Sequence, residues 1–122
     1  MSSPAYAQTY PEKPVRVIVS YAPGGNADTL ARIISQRLTQ TLEQQFLVEN
    51  RAGANGVIGT EIAAKAVPDG YTVLFISSGH AVNPSVYPKL TFDSIKDFTP
   101  IALVGSTPLI LTVTGALPAK SV

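Results

Sequence analysis

The chain has 122 residues and a formal net charge of +1 at pH 7, with 45% hydrophobic and 14% charged residues. This composition suffices for the core of one domain, and the nine scattered basic residues argue against nucleic acid as a partner. The chain has no cysteine and only one histidine, which excludes thiolate metal sites and histidine-based metal sites. No cofactor is indicated. No stretch approaches the ~20 apolar residues of a membrane span.

The chain begins with a polar, proline-rich stretch over residues 1–14, which predicts a flexible lead-in. Within it, Ala5-Tyr6-Ala7 has the small-x-small pattern of a signal-peptidase site. Residues 1–9 are therefore interpreted either as the remnant of a signal peptide or as a flexible polar tail. The triplet alone leaves both interpretations open.

A strand is predicted over residues 15–20, where β-branched residues dominate. It runs into a Pro-Gly-Gly turn and then into a helix, with Asn26 as the predicted N-cap and Asp28 as a first-turn carboxylate suited to the helix dipole. Gly24 and Gly25 are expected to adopt positive φ and to let the backbone approach a ligand. Because the helix also points its free amides at this turn, an anion is the natural guest.

Two further units follow in the same order of strand, loop and helix. Strands are predicted over residues 46–49 and 71–76, and a helix over residues 57–66 lies between them. Consecutive units of this kind predict an α/β fold, in which a parallel sheet is flanked by helices and connected by right-handed crossovers.

The pattern loosens after the third strand. Two prolines make residues 82–90 irregular or a single helical turn, and residues 93–98 are predicted to form a short helix. Two apolar runs follow at residues 101–105 and 109–113, and residues 116–122 have the pattern of the start of a helix.

Small polar residues follow each predicted strand. Since the strands are parallel, the three loops share one edge of the sheet and can converge on one ligand. The opposing interpretation is that their glycines and asparagines only serve turns and helix caps, and the residues leave both open. The first loop has neither a P-loop lysine nor a G-x-G-x-x-G pattern, so nucleotide binding is not expected. The loops contain Gly24-Gly25-Asn26, Ala54-Asn55-Gly56 and Ser77-Ser78-Gly79.

Several side chains near these loops allow two roles each. Asp28 either accepts a hydrogen bond from a ligand or only stabilises its helix, and Arg51 either pairs with a ligand carboxylate or bridges a surface acid. Tyr21 is placed to wall a pocket. His80 either shapes the rim of the cleft or forms a catalytic dyad with a serine such as Ser78. The chain has no G-x-S-x-G elbow, so the catalytic role is the weaker of the two.

The order of these motifs resembles one known family over nearly the whole chain, from about residue 10 to residue 122. It resembles the Bug family, the periplasmic solute-binding proteins of tripartite tricarboxylate transporters. The stretches that carry the resemblance are YPEKPVRVIVSYAPGGNADTLAR, FLVENRAGANGVIGTEIAAKAVPDGYTVLF and SSGHAVNPSVYPKLTFDSIKDFTPIALV.

The resemblance implies a type II periplasmic-binding-protein fold, in which two α/β domains close on a small organic anion, a carboxylate or an amino acid. It further implies a non-enzymatic protein of the periplasm that delivers its solute to membrane transporter subunits. Transferred position by position, the ligand-binding residues implied are Pro23, Gly24, Gly25, Asp28, Ala54, Asn55, Ser77, Ser78, Gly79, His80 and Asn83.

Members of that family are much longer than this chain. We therefore expect residues 10–122 to form a truncated first domain, with the second domain absent and with ligand binding weak or lost. An exposed sheet edge would then favour a homodimer. A homo-oligomeric or sensor-partner assembly protein without transport, and a small Ser/His hydrolase, are the alternative functions. Gly25→Val is expected to weaken anion binding because it hinders close approach and disfavours positive φ.

Overall fold

The computed structural model describes residues 10–108, 110, 112 and 114. The interpretations given to residues 1–9 and 116–122 lie outside the described residues. So do three of the five positions in the apolar run 109–113. The described part contains three strands, three α-helices and one short 3-10 turn: β1 (Val15–Val19), α1 (Asn26–Leu42), β2 (Phe46–Asn50), the 3-10 turn (Ala54–Gly56), α2 (Val57–Ala64), β3 (Thr72–Phe75) and α3 (Gly79–Val86).

The three strands form one parallel sheet in the order β2-β1-β3. The central strand β1 is flanked on both sides, with Val17 opposite Val48 of β2 and Val73 of β3. Val15, Ile18 and Val19 of β1 are wholly buried, as expected of a β-branched run at the centre of a parallel sheet. The predicted α/β fold with a parallel sheet and flanking helices is confirmed.

Helix α1 begins one residue away from where the sequence places its cap. Gly25 is the N-cap, with extended backbone at φ −80° and ψ 172°, and Asn26 is already the first helical residue. Asn26 is therefore wrongly predicted as the cap, and no side chain takes the capping hydrogen bond. Asp28 lies in the first turn, as predicted, and Ala31 and Ser35 are buried against the sheet.

Two predictions for the second half of the chain are wrong. Residues 79–86 form a regular eight-residue helix, α3, with Pro84 inside it. Residues 93–98 form no helix; instead the Asp93 carboxylate accepts hydrogen bonds from the amides of Ile95 (2.9 Å) and Lys96 (3.0 Å) and closes a turn.

The apolar side chains of the next segment are not covered. Residues 99–108 have no regular secondary structure, and Ile101 and Leu103 are among the most exposed large apolar side chains in the described part of the chain. In α2, Ile58 is half-exposed, and its side chain lies next to Gly53. No helix within the described residues is both long enough and apolar enough to cross a bilayer.

Candidate functional site

The loops that leave β1, β2 and β3 lie at one edge of the sheet because the three strands are parallel. We call this edge the three-loop face; it comprises loop 1 (residues 20–25), loop 2 (51–56) and loop 3 (76–78). A helix begins directly after each loop. The first-turn amides of a helix lack intrahelical partners and carry its positive dipole end. The convergence of the three loops is thus as predicted, and α3 adds a third helix start that the sequence analysis missed.

Loop 1 is shaped by one left-handed glycine. Gly24 has φ +84°, and nothing lies within 4 Å of a Cβ built on it, so its open side faces away from the protein. Its amide donates a hydrogen bond to Asp28 Oδ2 at 2.9 Å. Gly25 has ordinary extended backbone, so the expectation of positive φ holds for Gly24 and is wrong for Gly25. The backbone part of the reasoning for Gly25→Val falls with it.

The Asp28 carboxylate is buried and is held by three donors of the protein itself. Besides the Gly24 amide, Arg32 Nε donates to Oδ2 at 3.0 Å and Asn50 Nδ2 donates to Oδ1 at 2.8 Å. The hydrogen bonds from Arg32, from Gly24 and from Asn50 lower the pKa of Asp28 to about 2. These contacts fix loop 1 against the start of α1.

Asn50 connects the end of β2 to loop 1. Its Nδ2 also donates to the Tyr21 carbonyl at 3.1 Å, and its Oδ1 accepts from Arg32 Nη2 at 3.0 Å. Asn50 and Arg32 were not singled out from the sequence, although the i,i+4 spacing of Asp28 and Arg32 is a readable signal for a helix ion pair. Arg51, the next residue, pairs with Glu49 at 3.1 Å, which is the surface-bridging role weighed for it.

Loop 2 has an unusual backbone. Four consecutive residues have positive φ: Gly53 (+138°), Ala54 (+48°), Asn55 (+53°) and Gly56 (+89°). For a residue with a Cβ this conformation costs ~1–2 kcal/mol. Such strain persists only where the surroundings enforce it, and it concentrates at functional sites. The positive φ of Ala54 could not be predicted from the sequence, because alanine has no preference for this conformation.

The enforcing contact comes from α3. Asn55 Nδ2 donates to Asn83 Oδ1 at 2.9 Å, and Asn83 Nδ2 donates back to the Asn55 carbonyl at 3.2 Å. Asn83 is 1% exposed, so its side chain faces loop 2 and not the open surface. Through this reciprocal pair, α3 holds the left-handed turn of loop 2.

Loop 3 is tied to loop 1 by two hydroxyl groups. Ser77 Oγ donates to the Tyr21 hydroxyl oxygen at 2.7 Å. A Cβ built on Gly79 would lie 3.2 Å from that oxygen and 3.0 Å from Asn55 Nδ2, so the absence of a side chain at Gly79 lets groups of loops 1 and 2 meet at the start of α3. Ser78, the N-cap of α3, is exposed and makes no side-chain capping bond.

His80 points away from this meeting point. Its Nε2 lies 2.9 Å from the Ser94 carbonyl, and its ring stacks on Phe92 and meets Phe98 edge-on, with centroid distances of 6.3 and 5.3 Å. Its Nδ1 is buried without a partner among the described residues. Neither ring nitrogen of His80 has a serine hydroxyl as its partner, so the described part of the chain shows no Ser–His dyad. Nor do three or more metal-ligating side chains gather anywhere in that part.

Comparison with known proteins gives consistent findings. The model of a family described as "Tripartite tricarboxylate transporter family receptor" matches residues 30–122. The protein BugT of Bordetella pertussis is 41% identical over 123 residues, which covers 99% of this chain and 38% of BugT. A protein encoded in the tcbD-tcbE intergenic region of a Pseudomonas strain is 40% identical, covering 85% of this chain and 31% of its own length. The chain therefore spans about a third of the length of these relatives.

Three solved structures match the fold of this chain over about a third of their own length. The structure of the periplasmic binding protein BugD is 40% identical with a TM-score of 0.72, covering 75% of this chain and 31% of BugD. MatC from Rhodopseudomonas palustris, solved with bound malate, is 37% identical in sequence with a TM-score of 0.71; the match covers 78% of this chain and 33% of MatC. A further R. palustris protein, solved with adipate, is 37% identical in sequence with a TM-score of 0.67; the match covers 70% of this chain and 29% of that protein.

Proposed function

The chain belongs to the family of tripartite tricarboxylate transporter receptors, and from that premise we propose that its three-loop face binds a small organic anion, a carboxylate or an amino acid. The observation that carries the proposal is the arrangement of this face. Three strand ends and three helix starts lie at one edge, and side-chain hydrogen bonds tie loop 1 to β2, loop 2 to α3 and loop 3 to loop 1. Relatives solved with malate and with adipate favour a carboxylate as the ligand.

The face offers neutral donors to an anion. The ionic side chains beside the loops are engaged with one another: Arg32 with Asp28, and Arg51 with Glu49. A carboxylate at this edge would therefore be held by backbone amides, hydroxyl groups and the positive ends of helix dipoles. Hydrogen bonds to a charged acceptor are the strong ones, so such a site needs no opposing cation.

The residues implied by the family resemblance divide into two groups on this view. Asp28, Asn83 and His80 are engaged by neighbouring protein groups, and we assign them the role of fixing the loops or the adjoining turn. Asn55 shares this role through its side chain, whereas its strained backbone belongs to the ligand-facing edge. We assign the remaining candidates to the ligand-facing edge, with Ser77 taking part through its backbone because its hydroxyl donates to Tyr21. They are Pro23, Gly24, Gly25, Ala54, Ser77, Ser78 and Gly79.

In the whole protein we propose that the bound solute is delivered, in the periplasm, to the membrane subunits of a tripartite tricarboxylate transporter. The 122-residue chain presents one face to the ligand, and it spans about a third of its relatives' length. We therefore propose that the chain by itself binds more weakly than a receptor that encloses the ligand from two sides. No contact described above favours the alternative of an assembly protein without transport.

The test is a titration of the ¹⁵N-labelled chain, followed by NMR, with malate, adipate, aspartate and a neutral diamide of adipate's length. We expect the carboxylates to shift the amide resonances of residues 24–26, 54–57 and 77–79, and the diamide to shift none of them. The absence of any shift with every carboxylate, or equal shifts with the diamide, would contradict the proposal.

A matched pair of glycine variants locates the site. Gly24 and Gly70 have nearly the same left-handed backbone, with φ +84° and +81°, but only Gly24 lies at the three-loop face; Gly70 packs near Tyr10. Alanine strains both positions by a similar ~1 kcal/mol. We expect Gly24→Ala to weaken carboxylate binding and Gly70→Ala to leave it unchanged. Equal binding by the two variants would mean that loop 1 does not hold the ligand.

A further inference from the structure

The Tyr21 hydroxyl lies where the three loops meet. Loop 1 supplies the hydroxyl, and loop 3 supplies Ser77 Oγ at 2.7 Å. A Cβ built on Gly79 would lie 3.2 Å from the Tyr21 oxygen, and one built on Gly56 of loop 2 would lie 3.4 Å from it. Because both neighbours are glycines, the phenol of Tyr21 has space at the centre of the face. The family resemblance did not assign Tyr21 to the ligand.

The Tyr21–Ser77 pair keeps one proton for an outside acceptor. Two hydroxyl groups carry two protons, and the bond between them uses one. In the arrangement with Ser77 donating, the phenolic proton of Tyr21 has no acceptor among the hydrogen bonds of the described residues, so a carboxylate can take it; the reverse arrangement would leave the Ser77 proton for that acceptor instead. A phenol that accepts one hydrogen bond also becomes a better donor, because linked hydrogen bonds polarise one another.

We propose that Tyr21 binds the ligand directly, donating its phenolic proton to the carboxylate held at the three-loop face. The inference rests on the proposed function, since the acceptor is the anion proposed there. Tyr21 follows Ser20, a buried residue (1% exposed) that directly succeeds β1, and the Tyr21 carbonyl accepts a hydrogen bond from Asn50 Nδ2 at 3.1 Å. Its position relative to loop 3 is thereby fixed before a ligand arrives, which lowers the entropic cost of binding.

The chain supplies a matched control for the variant Tyr21→Phe. Tyr71 also uses its hydroxyl in one hydrogen bond between distant segments, accepting from the Glu12 amide at 3.0 Å. Tyr71 directly precedes β3, so it lies at the end of the sheet opposite the three-loop face. Tyr71→Phe thus removes a structural hydroxyl of the same kind without touching the proposed site.

The experiment measures malate and adipate affinities for wild type, Tyr21→Phe and Tyr71→Phe by NMR titration. We expect Tyr21→Phe to bind about tenfold more weakly, as the loss of one hydrogen bond to a charged group implies, and Tyr71→Phe to bind as wild type does. Equal affinities for wild type and Tyr21→Phe would overturn the inference while leaving the proposed function intact. A wild-type chain that binds neither probe would overturn both.

A second readout reports contact with the ligand and does not depend on the folding of a variant. In wild-type chain labelled with ¹³C at tyrosine Cζ, the Tyr21 resonance should shift when malate or adipate is added, and the Tyr71 resonance should not. A merely structural Tyr21–Ser77 bond would leave the Tyr21 resonance unmoved in a chain that binds the probe, and that result would overturn the inference.

Discussion

Gly59 is the position at which local and tertiary effects predict opposite outcomes. It lies in the interior of α2, where replacing glycine by alanine ordinarily stabilises a helix by ~1 kcal/mol. A Cβ on Gly59, however, would lie 2.7 Å from the Arg51 carbonyl oxygen and 2.9 Å from Ser20 Cα, both main-chain atoms. Main chain cannot move aside as the end of a flexible side chain can. Helix α2 would have to move away from loops 1 and 2.

Overpacking of this kind costs typically 1–3 kcal/mol, and two main-chain clashes place Gly59→Ala at ~3 kcal/mol. After the gain of ~1 kcal/mol in helix propensity, the net destabilisation is ~2 kcal/mol. For a domain of this size ~2 kcal/mol corresponds to a decrease in Tm of roughly 8 °C. Thermal and urea unfolding of the variant, followed by circular dichroism, measure both quantities.

Two other glycines calibrate this prediction. Gly25→Ala introduces a Cβ whose nearest neighbour is 3.7 Å away, an ordinary contact, so Tm should change little. Gly79→Ala places a Cβ 3.0 Å from the Asn55 side chain, which has some freedom to move, so an intermediate decrease is expected. A Gly59→Ala variant as stable as wild type, or more stable, would show that α2 packs less closely on β1 than the structure has it.

Three further predictions concern the loops and the sheet edges. Asn83→Ala should destabilise the fold by ~2 kcal/mol through loss of its two hydrogen bonds to Asn55. Adding Ala54→Gly to this variant should recover ~1 kcal/mol because glycine accepts positive φ. Chemical denaturation of the single and double variants measures both changes, and a double variant less stable than Asn83→Ala would contradict the prediction. The lowered pKa of Asp28, about 2 against an ordinary 3.8, means that its stabilising contribution is present above about pH 4 and is lost as the pH falls toward 2. The difference in Tm between wild type and Asp28→Asn should therefore shrink across that range, and a difference that stays constant would refute the role given to the carboxylate. The homodimer expected from an open sheet edge stays a prediction: light scattering should give twice 12.8 kDa, and a monomer would contradict it.

Strand positions were predictable because their signal is local. The β-branched run of β1 and the glycine-rich loops after β1 and β2 place the strands to within about one residue. Helix α3 is missed in the sequence because Pro84 and Pro88 indicate irregular structure or a single helical turn over residues 82–90. Pro84 occupies the sixth position of α3, where it removes one backbone hydrogen bond without ending the helix, and the Tyr87 amide still donates to the Asn83 carbonyl at 2.8 Å.

The edge at which the site lies was predictable, and the partners of its side chains were not. Parallel strands alone bring the three loops together. The bonds that link them join residues far apart in sequence, as Tyr21 and Ser77 are, and no periodicity or motif signals such pairs. The left-handed conformation of Ala54 depends on Asn83 in the same way. Tertiary contacts, not residue types, determine which polar groups remain for a ligand.

These links also determine how binding free energy is used at the three-loop face. Asn50 ties loop 1 to β2, Asn83 ties loop 2 to α3, and Tyr21 ties loop 3 to loop 1. Loops held in this way need little ordering when a ligand binds, so more of the interaction energy contributes to affinity. Disrupting a link that does not itself face the ligand, as Asn83→Ala does, should therefore weaken binding mainly through a less favourable entropy, since the donors themselves are kept. Calorimetry distinguishes this from Tyr21→Phe, which removes a contact and should lose enthalpy.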